Sequence, residues 1–349
     1  MKFQSIKKFT ALFLSLLLLL VFTGCSPASE PPADTADGNQ AETFTITDQA
    51  GRTVEIPNKV ESVAMTWGPA ANFVLALGKG DIITAFNYAG EFAAKVSPNL
   101  ANVSSVGKGK PDMEALAKLK PDVFIHRASD TATLDAVRDL GIAAVGIYSE
   151  TQDDLLVATE LVGKVLGAEE QATKLINFYN EKINFAADLV KDIPADDRKT
   201  VIVMGSDIGK VANGTMLQSF LIETAGGINL AKDIVSEETW PTVGTEQIFS
   251  WDPDYIFCVN SSQATYSPEE LKNDASFANL KAVKNNQIAI VPSDQDLWDF
   301  PGVQSCLGVL WMLNQMYPDL YSEADLIKDI DAFYNLAYGM TFDREWLGY

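Results

Sequence analysis

Histidine is nearly missing from this chain of 349 residues: His126 is the only one. Protein zinc and manganese centres draw on several imidazoles, so a multi-histidine metal site is excluded. Cysteine is almost as scarce, at three. One of these, Cys25, stands in an N-terminal segment treated below. Of the others, Cys258 lies in a strand pattern and Cys306 in a helical one, readable either as a disulfide or as two buried thiols. Positive charge is short as well. With Lys2, Lys7 and Lys8 set aside, 23 basic residues face 47 acidic ones, a net charge of −24. Such a surface repels nucleic acid and anionic headgroups. Nucleotide-binding loops are also lacking, because Gly107-Lys108-Gly109-Lys110-Pro111 fits neither the dinucleotide nor the Walker pattern. No Ser-His-Asp constellation is available beyond the lone His126, which leaves a two-lobed Rossmann-like enzyme as a remote alternative.

What the chain does have is a long uninterrupted helix pattern with matching sequence on either side. Between Gly167 and Pro194 there is neither Gly nor Pro, and Ala172, Leu175, Ile176, Tyr179, Ile183, Ala186 and Val190 recur at helical steps. A helix over 168–193 would span about 39 Å, the width of a small domain. Before it stands Glu114, six residues, Pro121-Asp122 and then Val123-Phe124-Ile125. After it stands Glu246, six residues, Pro253-Asp254 and then Tyr255-Ile256-Phe257. The two copies predict a duplicated α/β lobe on each side of the helix. Strands alternating with helices support the same architecture: strands over 60–66, 82–86, 123–125 and 143–148 in the first half, and over 200–204, 255–257 and 287–291 in the second. The expected fold is α/β, with two Rossmann-like lobes (43–167 and 194–349), one backbone helix between them and a ligand cleft between the lobes.

The N-terminal residues read as an address. Lys2, Lys7 and Lys8 precede an apolar run from Ala11 to Phe22, too short for a comfortable transmembrane helix. The run ends in Phe22-Thr23-Gly24-Cys25, which resembles the lipobox of bacterial lipoproteins, with Phe at a place where Leu is usual. On this reading 1–24 is a signal peptide, Cys25 carries lipid, and 25–42 is a flexible tether rich in Pro, Ser, Ala and Asp. The mature protein would then sit on the extracytoplasmic face of the cell membrane, held by lipid alone.

Four segments in order carry a wider resemblance: Asp48-Gln49-Ala50-Gly51-Arg52-Thr53-Val54-Glu55-Ile56-Pro57, Lys120-Pro121-Asp122-Val123, Ala225-Gly226-Gly227-Ile228-Asn229 and Trp240-Pro241-Thr242-Val243-Gly244-Thr245-Glu246-Gln247. From Thr43 to its end the chain resembles the helical-backbone (class III) substrate-binding proteins of ABC importers, which take up ferric siderophores, haem and cobalamin. The resemblance implies a monomeric, non-enzymatic protein without a cofactor, holding a small metal chelate and delivering it to an ABC permease dimer with its ATPase subunits. It also implies docking carboxylates on the two lobes, at Glu114 and Glu246. Asn72 stands where the family often has another Glu.

Ligands of open α/β sheets collect beyond the carboxyl ends of the strands. Those ends carry Trp67, Tyr88, His126 and Arg127 in the first half, and Ser206, Asp207, Asn260, Ser261, Trp298 and Asp299 in the second, with Trp240 just ahead of Glu246. Trp67, Tyr88, His126, Arg127, Trp240 and Trp298 are therefore the candidate ligand residues. Aromatic platforms with a few polar groups suit a flat, partly apolar complex, and an Arg can fork onto a carboxylate or hydroxamate. The resemblance implies an iron complex of the ferric siderophore or haem type as the ligand, with a corrinoid or a molybdate-like oxyanion as the alternative.

Overall fold

In the computed structural model, the residues described are 43–86, 91–261, 263–292 and 296–347. The signal segment, Cys25 and Tyr88 lie outside them. The chain enters through an antiparallel hairpin, β1 (Thr43–Thr47) and β2 (Thr53–Pro57). Its turn explains the Asp-Gln-Ala-Gly-Arg signature. Asp48 Oδ1 accepts the Arg52 backbone N–H at 2.9 Å, and Gly51 supplies the positive φ of 76° that closes the loop. Asp48 Oδ2 then accepts the Gly146 N–H at 2.9 Å, while the Arg52 guanidinium donates to Asp48 Oδ2 and to the Ala144 carbonyl. One buried carboxylate thus pins the hairpin to the first sheet.

That first sheet is built from β3 (Val63–Met65), α1 (Gly68–Ala76), β4 (Ile83–Ala85), α2 (Glu91–Val96), α3 (Met113–Leu119), β5 (Val123–Arg127), α4 (Thr131–Arg138) and β6 (Ala143–Ile147). After α5 (Gln152–Val165) and α6 (Glu169–Val190) comes a second set: β7 (Thr200–Met204), α7 (Leu217–Thr224), β8 (Ile228–Asn229), α8 (Thr245–Trp251), β9 (Tyr255–Cys258), α9 (Pro268–Asn273), α10 (Lys281–Lys284) and β10 (Ile288–Ile290). Both sheets are parallel. Their strand orders are β4-β3-β5-β6 and β8-β7-β9-β10, so each has its second strand outside its first and its third and fourth on the other side. The duplication anticipated from two short sequence copies is a duplication of topology.

The copies themselves form equivalent junctions. Both α3 and α8 are seven residues long, and each ends on a left-handed residue, Lys120 at φ 48° and Asp252 at φ 45°. Each buries one aliphatic side chain, Leu116 or Ile248. The aspartate of each Pro-Asp then reaches across to the strand beside it. Asp122 Oδ2 accepts from the Ser62 N–H and hydroxyl, both at 2.9 Å, and Asp254 Oδ2 accepts from the Thr200 N–H and hydroxyl, also at 2.9 Å. A hydrogen bond to a charged acceptor at a half-buried site has a consequence for stability. Asp122→Ala and Asp254→Ala are each expected to cost about 1–3 kcal/mol, because the orphaned donors are left without a partner. A denaturant midpoint unchanged in both variants would overturn that expectation.

Helix α6 is about 33 Å long, and Ala172, Leu175, Tyr179, Ile183, Ala186 and Val190 form its buried stripe. It packs on α5, on α7 and on α11 (Ser305–Met316). A Cβ at Gly163 would come within 2.6 Å of the Ala172 Cβ, so glycine there permits the close approach of α5 and α6. The last long helix, α12 (Glu323–Tyr338), packs against α1 beside the first sheet as well as against α6 and α11. Gln171 on α6 stitches this contact by donating to the Leu336 carbonyl at 2.8 Å, and Lys182 pairs with Asp329 at 2.9 Å. Cys258 and Cys306 are both buried free thiols, which resolves the choice left open by their spacing.

Candidate functional site

Beyond the carboxyl ends of the two sheets lies a cavity of about 390 Å³. The first half of the chain contributes Trp67 after β3, Pro69 at the start of α1, and Glu150 after β6. The second contributes Ser206 and Lys210 after β7, Met216 and Gln218 at the start of α7, Trp240, and Asn260 and Ser261 after β9. Leu297, Asp299, Phe300 and Pro301 close one side. Parallel strands leave their carboxyl ends free for loops, which is why short segments from both sheets meet here.

The two tryptophans are held differently. Trp240 lies against the backbone at the end of β7, where a Cβ on Gly205 would come within 2.8 Å of its ring. Trp67 carries Arg127, whose guanidinium carbon is 5.6 Å from the indole centroid, within cation–π range. Arg127 is exposed and unpaired at short range among the described residues, so its fork is available to a ligand beside that ring. Arg127 also acts on Glu150: desolvation raises the pKa of that carboxyl, Arg127 opposes the rise, and Asp154 adds to it. On the other wall, Lys210 holds Asp207 at 3.1 Å. Thr265 and Lys210 together keep the Asp207 carboxyl below its usual range. Asp299 differs from both acids. Only 4 % exposed, its carboxyl is pushed by burial up to about 7, while Gln218 donates to its backbone carbonyl at 2.9 Å.

The structure brings Trp67 and Trp240 together at the cavity, along with Ser206, Asn260, Ser261 and Asp299, and sets Arg127 against the Trp67 ring without placing it in the lining. It places two other candidates in the interior. His126 is fully buried, with Nε2 3.3 Å from Asp130 Oδ2 and Nδ1 without a partner among the described residues. Burial lowers its pKa, so the ring is neutral at pH 7. Trp298 is fully buried too, with Nε1 3.4 Å from the Tyr334 hydroxyl and its ring beside Phe342. His126 lies within β5 and Trp298 beyond β10, and both side chains turn into the interior. A parallel sheet covered on both faces gives no polar alternation from which direction could be read.

Glu150, Lys210 and Gln218 were not singled out by sequence reasoning. Lys210 and Gln218 lie past the strand end, in the β7–α7 connection and the first turn of α7, and no periodicity marks a loop residue as inward-facing. Glu114 and Glu246 stand away from the cavity, each at the second position of its short helix and each exposed. Among the described residues neither carboxylate makes an ion pair or hydrogen bond.

Comparison with known proteins agrees with this geometry. The family model for periplasmic binding proteins matches residues 63–295. The molybdate-binding protein MolA of Haemophilus influenzae is 24% identical over 85% of this chain and 91% of its own length. The Fe(3+)-citrate-binding protein YfmC of Bacillus subtilis is 23% identical over 87% of this chain and 95% of its own. Among solved structures, a periplasmic solute-binding protein from Veillonella parvula superposes with a TM-score of 0.76 at 26% identity, covering 87% of this chain and 95% of that one. Molybdate-bound MolA superposes at 0.75 with 21% identity, covering 86% and 99%. The family model covers well over half of the chain, and the fold superposes on a solute-binding protein of the same kind, so the chain belongs to the periplasmic binding protein family.

Proposed function

We propose that this substrate-binding protein of an ABC importer captures a ferric chelate of the siderophore or hydroxycarboxylate type, and that it does so as a lipoprotein anchored through Cys25. The observation that carries the ligand reading is the pairing of Trp67 and Arg127 beside a cavity that Trp240 also lines. An indole face bearing a guanidinium suits an organic shell with an anionic edge: the ring covers the apolar backbone of the chelator, and the fork accepts its carboxylate or hydroxamate oxygens. The metal itself would be cargo inside that shell. Among the described residues no group of three His, Cys, Asp or Glu is placed to take it directly, so recognition rests on the chelator.

Two further readings have specific support. MolA, a relative of this chain, is named for molybdate, and Arg127, Lys210, Ser206 and Asn260 would supply donors to an oxyanion. A cobalamin-binding protein of Halobacterium salinarum is 24% identical over 80% of this chain. A bare tetrahedral oxyanion makes little use of two tryptophans, a methionine and a phenylalanine in the wall, which is why the organic chelate is preferred. The relatives with named ligands are binding proteins, in keeping with a cleft that holds its ligand unchanged.

Arg127→Lys separates a forked contact from a mere charge. Calorimetric titration with ferric citrate is expected to show affinity weakened about tenfold, since Lys keeps the charge but loses the planar bidentate geometry and the stacking on Trp67. Undiminished affinity would remove Arg127 from the site.

A further inference from the structure

A second cavity, of about 450 Å³, opens where the chain enters the fold, with Phe44 of β1 in its wall. Phe44, Val60 and Leu166 give it apolar wall, and Lys59, Lys79 and Lys164 line it with a single carboxylate, that of Glu169. This is unusual in a chain with 47 acidic and 26 basic residues. Of the three, Lys59 is already paired, with Glu61. Lys79 and Lys164 have no ion pair among the described residues, although one is only partly exposed. The contrast with the cavity beside β2 and β6 is direct. Arg52 and Arg138 line that one, but Asp48, Asp135 and Asp139 already neutralise them.

Lys79 and Lys164 line one cavity without ion pairs among the described residues, and Glu169 offsets only one of the two charges, so an anion among them is favoured. Lysine ammoniums act as point charges with rotatable donors and suit a phosphate oxygen, and the apolar wall residues suit carbon attached to that phosphate. We infer that the Lys59–Lys79–Lys164 cavity binds a glycerophosphate group. If Cys25 is the anchor, as proposed above, the headgroup of an anionic phospholipid is one source of that group, and a free glycerol phosphate is another.

The test uses the full chain reconstituted in vesicles, with the rate of lysine acylation read residue by residue by mass spectrometry. Three preparations are compared: phosphatidylcholine alone, phosphatidylcholine with phosphatidylglycerol, and phosphatidylcholine with soluble glycerol 3-phosphate. Acylation of Lys59, Lys79 and Lys164 is expected to slow by about fivefold in at least one of the last two, the factor associated with one lysine near an anionic surface. Slowing with phosphatidylglycerol alone assigns the lipid source; slowing with the soluble ester as well shows that the group suffices. Unchanged rates in both, or equal slowing at the distant Lys118 and Lys284, would overturn the inference. Lys79→Glu with Lys164→Glu is expected to remove the protection of Lys59 while ferric citrate titrates the interlobe cleft as before. Protection of Lys59 that persists in this variant would count against the site. Because the cleft is read separately, failure here leaves the ferric-chelate reading standing.

Discussion

Replacing Glu114 and Glu246 together by alanine is expected to abolish ligand uptake by cells while leaving ligand affinity and melting temperature near those of the unaltered protein. The two carboxylates occupy the same position in two equivalent junctions, one on each topological copy, so an approximate twofold between the copies would set them as a symmetric pair of receptor subunits requires. Both are exposed and have no partner among the described residues, so their removal leaves no buried group unsatisfied. Exposed ion pairs contribute only about 0–1 kcal/mol each in water, but truncating one partner at a desolvated interface costs about 2–5 kcal/mol. Two such losses would prevent docking on the permease. Uptake at the normal rate by the double variant would refute the docking role, and loss of folding would show that the carboxylates serve the helix starts instead.

A second large effect concerns pH. Asp299 ionises near 3.8 in an open environment, and burial pushes it up to about 7 in the fold. Between those values the folded protein holds a proton that the unfolded chain has lost, so stability falls as pH rises from about 4 to about 7 and is level above. At 1.36 kcal/mol per unit, a rise of this size amounts to about 4 kcal/mol, an upper bound on the penalty at pH 8. Asp299→Asn removes the ionisation while keeping the shape. Its melting temperature is expected to exceed that of the unaltered protein by several degrees at pH 8 and to match it at pH 4. Parallel pH profiles for the two proteins would contradict the assignment. Because Asp299 lines the cavity, that wall is uncharged at this position below about pH 7 and gains a negative charge above it.

Much of this architecture could be read from residue order. The six-residue spacing between Glu114 and Pro121, repeated from Glu246 to Pro253, reflects a seven-residue helix, a left-handed cap and an aspartate that ties the next strand to its neighbour. Local chemistry of that kind is visible locally. The stripe on α6 was equally plain, because a helix between two layers must bury one face. Directions inside the sheets were not legible. His126 and Arg127 are adjacent in β5, yet one is sealed against Asp130 and the other stands over Trp67. Trp298 has neighbours on both sides that line the cavity while its own ring turns to Tyr334 and Phe342. Such choices are made by helices packed from distant sequence, α12 above all, and no pattern within the strand-end segments encodes them.

The most direct test of the central claim is thermal stabilisation of the full chain by a panel of ferric citrate, a ferric hydroxamate, cobalamin and molybdate. A ligand present at a hundred times its dissociation constant adds about 2.7 kcal/mol, enough to move the transition visibly. The account predicts stabilisation by a ferric chelate, diminished in Arg127→Lys. Stabilisation by molybdate or cobalamin with none by either ferric chelate would contradict it.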